Sequence, residues 1–347
     1  MEIFLNSLFF ALSAIRNALS PVAMTAFTLL PFIPSNKPPK SRPLSLPPTI
    51  KTDKFQAQLL DGTIKQEEVD RMLALYGLDD NSFFGIVKGY LKWIGKVFQG
   101  DMGTSFLYGD KVSTVIFKNM GISFGIAFVA LIFEFLIAIP LGVKAAVHQN
   151  GVLDYTTSVL AMIGTALPTF FFAALCIELF SVQLGWLPVN GLQGTLSMTA
   201  TGFERFIDKL WHLIMPIFIM VFLSVGSLMR YTRTNTLDVL NADYIRTARA
   251  KGLPERKVIY KHAFRNTLIP LVTLLAGTIP GLFSGAMITE QIFSIPGIGA
   301  KAYAALKAGD VPFIMGYNMF LAILTVIGTL MADLMYAVVD PRVKLTK

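Results

Sequence analysis

Residues 267–289 and 311–332 each run for more than twenty positions without one charged side chain. A helix needs about 20 mostly apolar residues to cross the hydrocarbon core of a bilayer. In that medium the backbone must satisfy its own N–H and C=O groups, which a helix does. Three further segments behave the same way. Residues 119–143 contain only Glu134, residues 156–183 only Glu178, and residues 213–229 no charge, with Trp211 and His212 before them suited to an interface. Charged residues make up 15% of the chain and hydrophobic ones 54%. A soluble domain carries about a quarter charged residues. The expectation is an all-α, polytopic membrane protein.

The N-terminus is read with a first transmembrane helix at about 12–33, which brings the total to about six. Arg16 splits the apolar stretch, and Pro21, Pro31 and Pro34 interrupt it. A cleaved secretory leader is the competing reading, but its basic start and a small-residue cleavage site are missing.

Six spans put both termini on one side. The loop 230–266 carries Arg230, Arg233, Arg246, Arg249, Lys251, Arg256, Lys257, Lys261 and Arg265 against Asp238, Asp243 and Glu255. Loops 184–210 and 290–310 carry two Lys/Arg each. Positive charge marks the cytoplasmic side of short loops, so 230–266 and both termini are assigned there. The long loop 35–118 then lies outside. Its twelve Lys/Arg do not contradict this, since loops of that length are largely exempt from the rule.

The chain therefore divides into an N-terminal segment (1–40), an external loop (41–118), a transmembrane core (119–340) holding the basic loop, and a tail (341–347). Residues 31–48 are Pro-rich and should run extended. Thr63-Ile64-Lys65-Gln66 has the form of a capping box, and Gly77 could end the helix it opens. Phe84, Val87, Leu91, Ile94 and Phe98 recur at helical spacing, with Lys88, Lys92 and Lys96 on another face. Such a helix lies on the membrane surface or packs on its own protein.

The basic loop reads as two helices. The first runs from Thr234 to Ala250, Gly252 breaks it, and Pro254 and Glu255 suit the start of a second that continues into the next span. Ala248, Ala250 and Gly252 are small enough to admit a close partner. Charge alone is equally consistent with a loop that sets topology or binds anionic lipid.

Several chemistries are absent. No Walker A pattern occurs, so ATP hydrolysis is not expected of this chain. The single cysteine, Cys176, excludes an intrachain disulfide. His148, His212 and His262 are too scattered to suggest a metal site. No nucleophile constellation is visible, and no nucleic acid is expected. Glu134 and Glu178 are the candidate pathway residues, because a charge at membrane depth usually faces protein or water. A carboxylate there could attract a peptide's amine. It could equally make a structural contact or reach the interface.

The order of residues adds a resemblance. Ala242-Asp243-Tyr244-Ile245-Arg246-Thr247-Ala248-Arg249-Ala250-Lys251-Gly252-Leu253 resembles the EAA loop of ABC importer permeases, in the form found in the dipeptide/oligopeptide/nickel family. The likeness continues through Arg256, His262-Ala263, Arg265-Asn266 and Pro270. Gly100-Asp101-Met102-Gly103-Thr104-Ser105, Gly164-Thr165-Ala166-Leu167-Pro168-Thr169-Phe170, Gly185-Trp186-Leu187-Pro188-Val189-Asn190-Gly191, and Glu290-Gln291-Ile292-Phe293-Ser294-Ile295-Pro296-Gly297-Ile298-Gly299 are similar to further motifs of that family. So are Asp333, Tyr336 and Asp340-Pro341-Arg342. Together they cover about residues 70–345. Residues 1–60 depart from the pattern: Phe32-Ile33-Pro34-Ser35-Asn36 stands where the family has Pro-Gly-Asp-Pro.

The resemblance implies a permease subunit of an ATP-driven importer for oligopeptides or dipeptides in a prokaryotic inner membrane. The same machinery carrying nickel or another small solute is the alternative, and a secondary transporter a third reading. Its implied partners are a second homologous permease, two ATPase subunits, an extracytoplasmic binding protein and the lipid bilayer. ATP and Mg would be bound by the ATPase subunits, with no cofactor on this chain. Asp243, Arg246, Ala248, Lys251, Gly252, Leu253 and Arg256 are the implied ATPase-coupling residues. Asp333 is expected to make a structural bond or help a gate.

Overall fold

A computed structural model describes residues 83–194 and 201–339. The expected first span, the Pro-rich stretch, the capping box at Thr63, Gly77 and the Asp340-Pro341-Arg342 signature lie outside the described residues. The described chain is helical, with one isolated bridge between Thr104 and Lys111 and no strand among these residues.

The helices are α1 (Phe83–Val97), α2 (Val112–Val147), α3 (Val152–Ala166), α4 (Thr169–Cys176), α5 (Gly202–Leu240), α6 (Asp243–Ala250), α7 (Glu255–Lys257), α8 (Phe264–Ser284), α9 (Met287–Ile292), α10 (Ile298–Ala308) and α11 (Val311–Val339). Two wider π turns, Ile177–Gln183 and Val258–Ala263, follow α4 and α7. Three helices are long and apolar enough to cross a membrane by themselves: α2, α5 and α11. Counting each of two bent pairs as one span brings the total to five. These five fall on the five apolar segments of the sequence.

One of the two bent pairs turns sharply. The segment expected as a single span over 156–183 turns by 104° between α3 and the helix starting at Thr169. Leu167 (ψ 126°) and Pro168 (ψ 135°) are both extended there. Proline has no N–H to continue the ladder, and it drives the preceding residue out of the helical region. The bend is therefore written in Leu167-Pro168, whereas hydropathy sees only an unbroken apolar run.

Two compact units are present. One comprises the described residues up to Asn119 with Lys301–Ile323; the other comprises Met120–Ala300 and the described residues from Leu324. In the first, α1 has the predicted pattern, with Phe84, Leu91, Lys88 and Lys92 exposed. Trp93 is buried and donates from its Nε1 to the Met102 carbonyl at 3.5 Å. The Gly100–Ser105 motif is a tight turn: Gly100 and Gly103 have φ of 84° and 93°, and Gly103 N–H donates to the Asp101 carboxylate at 3.0 Å. Asp310, fully buried, organises the neighbouring turn. Its carboxyl accepts from Ser105 Oγ (2.5 Å), Leu107 N–H (2.9 Å) and Phe313 N–H (3.2 Å). Tyr108 donates to the Lys301 carbonyl at 2.8 Å. Burial, together with the Asp310 charge, pushes its phenol up to about 12.

In the second unit α5 is the dominant element. Thr201 and Glu204 form a capping box at its start, a signal not anticipated from the sequence. At 1.5 Å per residue its 39 residues extend about 58 Å. That is nearly twice the roughly 30 Å of bilayer hydrocarbon. The uncharged window 213–229 accounts for less than half of it. The remainder lies at both ends: residues 202–212 precede the window, and residues 230–240 carry the helix past Arg230 and Arg233 to Leu240. Buried Ile126, Ala173, Cys176, Met215, Ile219, Phe293 and Ile295 form one core cluster. Ala138, Ala161, Leu228, Met229 and Leu271 form another.

Candidate functional site

The basic segment 230–266 starts inside α5, whose last residues run from Arg230 to Leu240. Sequence reasoning gave one helix from Thr234 to Ala250; the structure breaks it at Asn241-Ala242, and α6 is a separate helix of eight residues. Ala242 is extended at ψ 148°. Gly252 ends the turn with φ 74°, a left-handed conformation that glycine adopts without steric cost. Pro254 sits one position earlier than expected, at the cap of α7 rather than inside it.

Helical spacing divides the α6 side chains into two faces. Ile245 (0% exposed) and Ala248 (7%) point inward. They pack with Val258 and Ala263, against the partly buried Val239, Leu240 and Leu253. Asp243, Arg246, Thr247 and Ala250 fall at i, i+3, i+4 and i+7 on the opposite face, and all are exposed. Lys251, Gly252 and Arg256 continue that exposed surface.

This relocates two of the residues expected to grip a partner. Ala248 and Leu253 hold the segment to its own protein, and the small residues presented outward are Ala250 and Gly252. The reason is geometric: Ala248 lies three residues after Ile245, so the two share a face.

The polar groups on this surface are lightly tethered. Arg246 and Asp243 approach to 3.6 Å, with side chains 73% and 96% exposed. Arg249 donates to both Glu255 oxygens, at 2.7 Å at the closest. Those hydrogen bonds hold the Glu255 carboxyl below its ordinary range. The pair crosses the Gly252 turn and fastens α6 to α7.

The candidate pathway carboxylates are not brought together as a pair. Glu134 on α2 is half-buried. Glu178 is exposed in the π turn after α4, where Gln183 Nε2 donates to it at 3.3 Å. A cavity of about 530 Å³, lined by Phe180, Trp186, Trp211 and Phe218 among others, includes neither. No group of three or more His, Cys, Asp or Glu suited to a metal occurs among the described residues. His148 and His212 hydrogen-bond backbone carbonyls one turn earlier.

Sequence reasoning gave no role to a third arrangement. Glu290, 2% exposed, accepts from Ser123 Oγ (2.7 Å), Ala286 N–H (3.1 Å) and Ala300 N–H (2.8 Å). Ser123 Oγ in turn accepts from Ile298 N–H at 2.8 Å. Gly297 and Gly299 press against this carboxyl with no room for a side chain. The motif 290–299 is thus a loop wound around its own first residue.

With this geometry in place, the comparison with known proteins is decisive. A family model described as binding-protein-dependent transport system inner membrane component matches residues 138–345. The chain belongs to this family. That stretch takes in both bent spans, α5, the α6–α7 turn and the 290–299 loop. The oligopeptide transport system permease protein AppB of Bacillus subtilis is 40% identical over 287 residues, covering 82% of this chain and 88% of AppB. The dipeptide transport system permease protein DppB of Lactococcus lactis is 33% identical over 298 residues, covering 84% and 92%. A Brucella suis protein named as a peptide permease is 37% identical over 282 residues. The resemblance drawn from motif order is borne out: this is a polytopic, helical membrane component of a transport system.

Proposed function

We propose that this chain is a permease subunit of an ATP-driven importer of oligopeptides or dipeptides. It forms the translocation pathway with a second homologous permease. Two ATPase subunits, which bind ATP and Mg, supply the energy, and an extracytoplasmic binding protein delivers the substrate. The chain itself catalyses no reaction. Its termini and the α6–α7 segment face the cytoplasm, where positive charge accumulates.

The observation that carries this reading is the outward face of α6. A short helix stands at the end of a helix far longer than the bilayer, anchored inward by Ile245 and Ala248. It presents Asp243, Arg246, Thr247, Ala250, Lys251, Gly252 and Arg256 to solvent. A partner gripping that face would act on a 39-residue lever. The peptide substrate is supported by the names of the relatives. Nickel or another small solute remains the alternative cargo, since nothing in the chain's own chemistry selects between them.

Co-purification tests the reading. The chain, solubilised from its native membrane, should bring down an ATPase bearing a Walker A motif, and Arg246→Glu with Arg256→Glu should release it. Retention of the ATPase by that double variant, or its absence from the wild type, would overturn the docking role.

A further inference from the structure

α3 and α5 run antiparallel with a constant register. Asp154 lies opposite Arg233, Ala161 opposite Gly226, and Gly164 opposite Phe222. The ion pair closes one end. Arg233 Nε donates to Asp154 Oδ1 at 2.5 Å, and its Nη2 to Oδ2 at 2.7 Å. The Asp154 side chain is 5% exposed and that of Arg233 24%. A bidentate fork of this kind fixes orientation as well as distance. Asp154 also accepts from the Asn150 N–H at 3.0 Å, which ties in the turn preceding α3.

Further along, the two backbones touch. A Cβ on Gly226 would stand 2.7 Å from the Ala161 Cα, and one on Gly164 would stand 2.9 Å from the Phe222 carbonyl oxygen. From the other side, a Cβ on Gly142 of α2 would stand 2.7 Å from the Met229 carbonyl. Contacts this close leave no compressible side-chain layer, and packed interiors transmit strain rather than absorb it.

The two ends of this pair lead to different places. Ten residues beyond Arg233, α6 begins at Asp243. Three residues beyond Gly164, the chain extends at Leu167-Pro168 and turns by 104°. Beyond the turn lie α4 and the π segment that carries Glu178.

We infer that Asp154 and Arg233 are positioning residues for transport. They clamp α3 to α5 into one strut, so that a displacement of α6 arrives at the Leu167-Pro168 bend and is released there as a change of angle. The inference rests on the reading of the α6–α7 segment as an ATPase docking site. The ion pair is the part of the strut that charge can unlock; the glycine contacts fix its register.

Distances between spin labels in the assembled, membrane-reconstituted complex test the strut. Cys176→Ala removes the single native cysteine. Labels are then placed at Asn241 and Ala166 in one sample, and at Asn241 and Val182 in another; all three positions are exposed. Between the nucleotide-free and ATP-trapped states, the 241–166 distance should stay constant and the 241–182 distance should change. Asp154→Ala should at least double the width of the 241–166 distribution. The exchange Asp154→Arg with Arg233→Asp should narrow it again. Arg233→Lys keeps the charge but loses the fork, and should fall between.

A 241–166 distance that moves as far as 241–182 on ATP binding overturns the strut while leaving the docking reading intact. Neither distance moving overturns the docking reading, and the strut with it. An unchanged distribution in Asp154→Ala overturns the role given to the ion pair. A merely structural role would lower the amount of protein in the membrane without altering which distance responds to ATP.

Discussion

Gly252 is the position where a small change should separate transport from ATP hydrolysis. Its φ is 74°, and a Cβ built there meets nothing within 4 Å. Valine at this site would therefore suffer no clash with other parts of the protein. The cost is confined to the backbone: the left-handed region is disfavoured by about 1–2 kcal/mol for a residue with a Cβ, and more for a β-branched one. Since 1.4 kcal/mol is a factor of ten, the turn between α6 and α7 should lose its observed form by about 5–30-fold relative to glycine. The Arg249–Glu255 pair crosses the same turn, but it is half-exposed and contributes at most about 1 kcal/mol. It cannot offset the whole cost. Gly252→Val should leave the amount of protein in the membrane unchanged, because the site is exposed. Peptide uptake per ATP hydrolysed by the reconstituted complex should drop several-fold. Gly252→Asn is the control, since asparagine enters the left-handed region more readily, and it should retain most coupling. Gly252→Val with wild-type uptake per ATP, at equal protein in the membrane, would refute the reasoning that this turn sets the docking geometry.

The pathway carboxylates give a second test: Glu134→Gln and Glu178→Gln should each reduce peptide uptake without altering ATPase retention, and normal uptake by both would remove them from the pathway. Asp310→Ala should strip the acceptor from Ser105 Oγ and two backbone N–H groups. With each buried unpaired group costing about 1–3 kcal/mol, it should lower the thermal inactivation temperature sharply, while Asp310→Asn should lower it less. Glu255→Gln should weaken ATPase retention less than about fivefold, because an exposed pair is worth under about 1 kcal/mol; a complete loss would mean that Glu255 itself touches the partner.

Sequence and structure diverge where direction matters. The five apolar segments were legible because bilayer thickness imposes a length and hydrocarbon excludes charge, and both can be counted along a chain. The turn at Gly252 was legible for a related reason, because glycine is the residue that accepts a positive φ freely. By contrast, the inward position of Ala248 was missed. Three-residue spacing from Ile245 puts it on the buried face, where its small size serves close packing within the chain rather than a partner. The 104° bend was missed: Pro168 lies within an apolar run that reads as one span, and the angle depends on how α4 packs after it.

The Asp154–Arg233 pair shows why tertiary electrostatics stay hidden in a chain of this kind. Each residue lies just beyond an apolar segment, where charges ordinarily meet water and headgroups. Nothing local distinguishes them from Lys144 or Arg230. They become partners only because Gly226 and Gly164 let α5 and α3 approach until their backbones touch, which fixes the register that sets residue 154 against residue 233. Those glycines read in sequence as ordinary members of apolar runs. In a soluble protein, apolar contact between two helices is driven by water; between helices in lipid it is not, and close packing at small residues takes its place. The length of α5 then acquires a purpose that hydropathy could not assign. Its apolar part is long enough to span, and its polar continuation reaches past Arg233, where the Asp154 carboxylate is bound. A shorter α5 would cross the membrane equally well and would have nothing for Asp154 to hold.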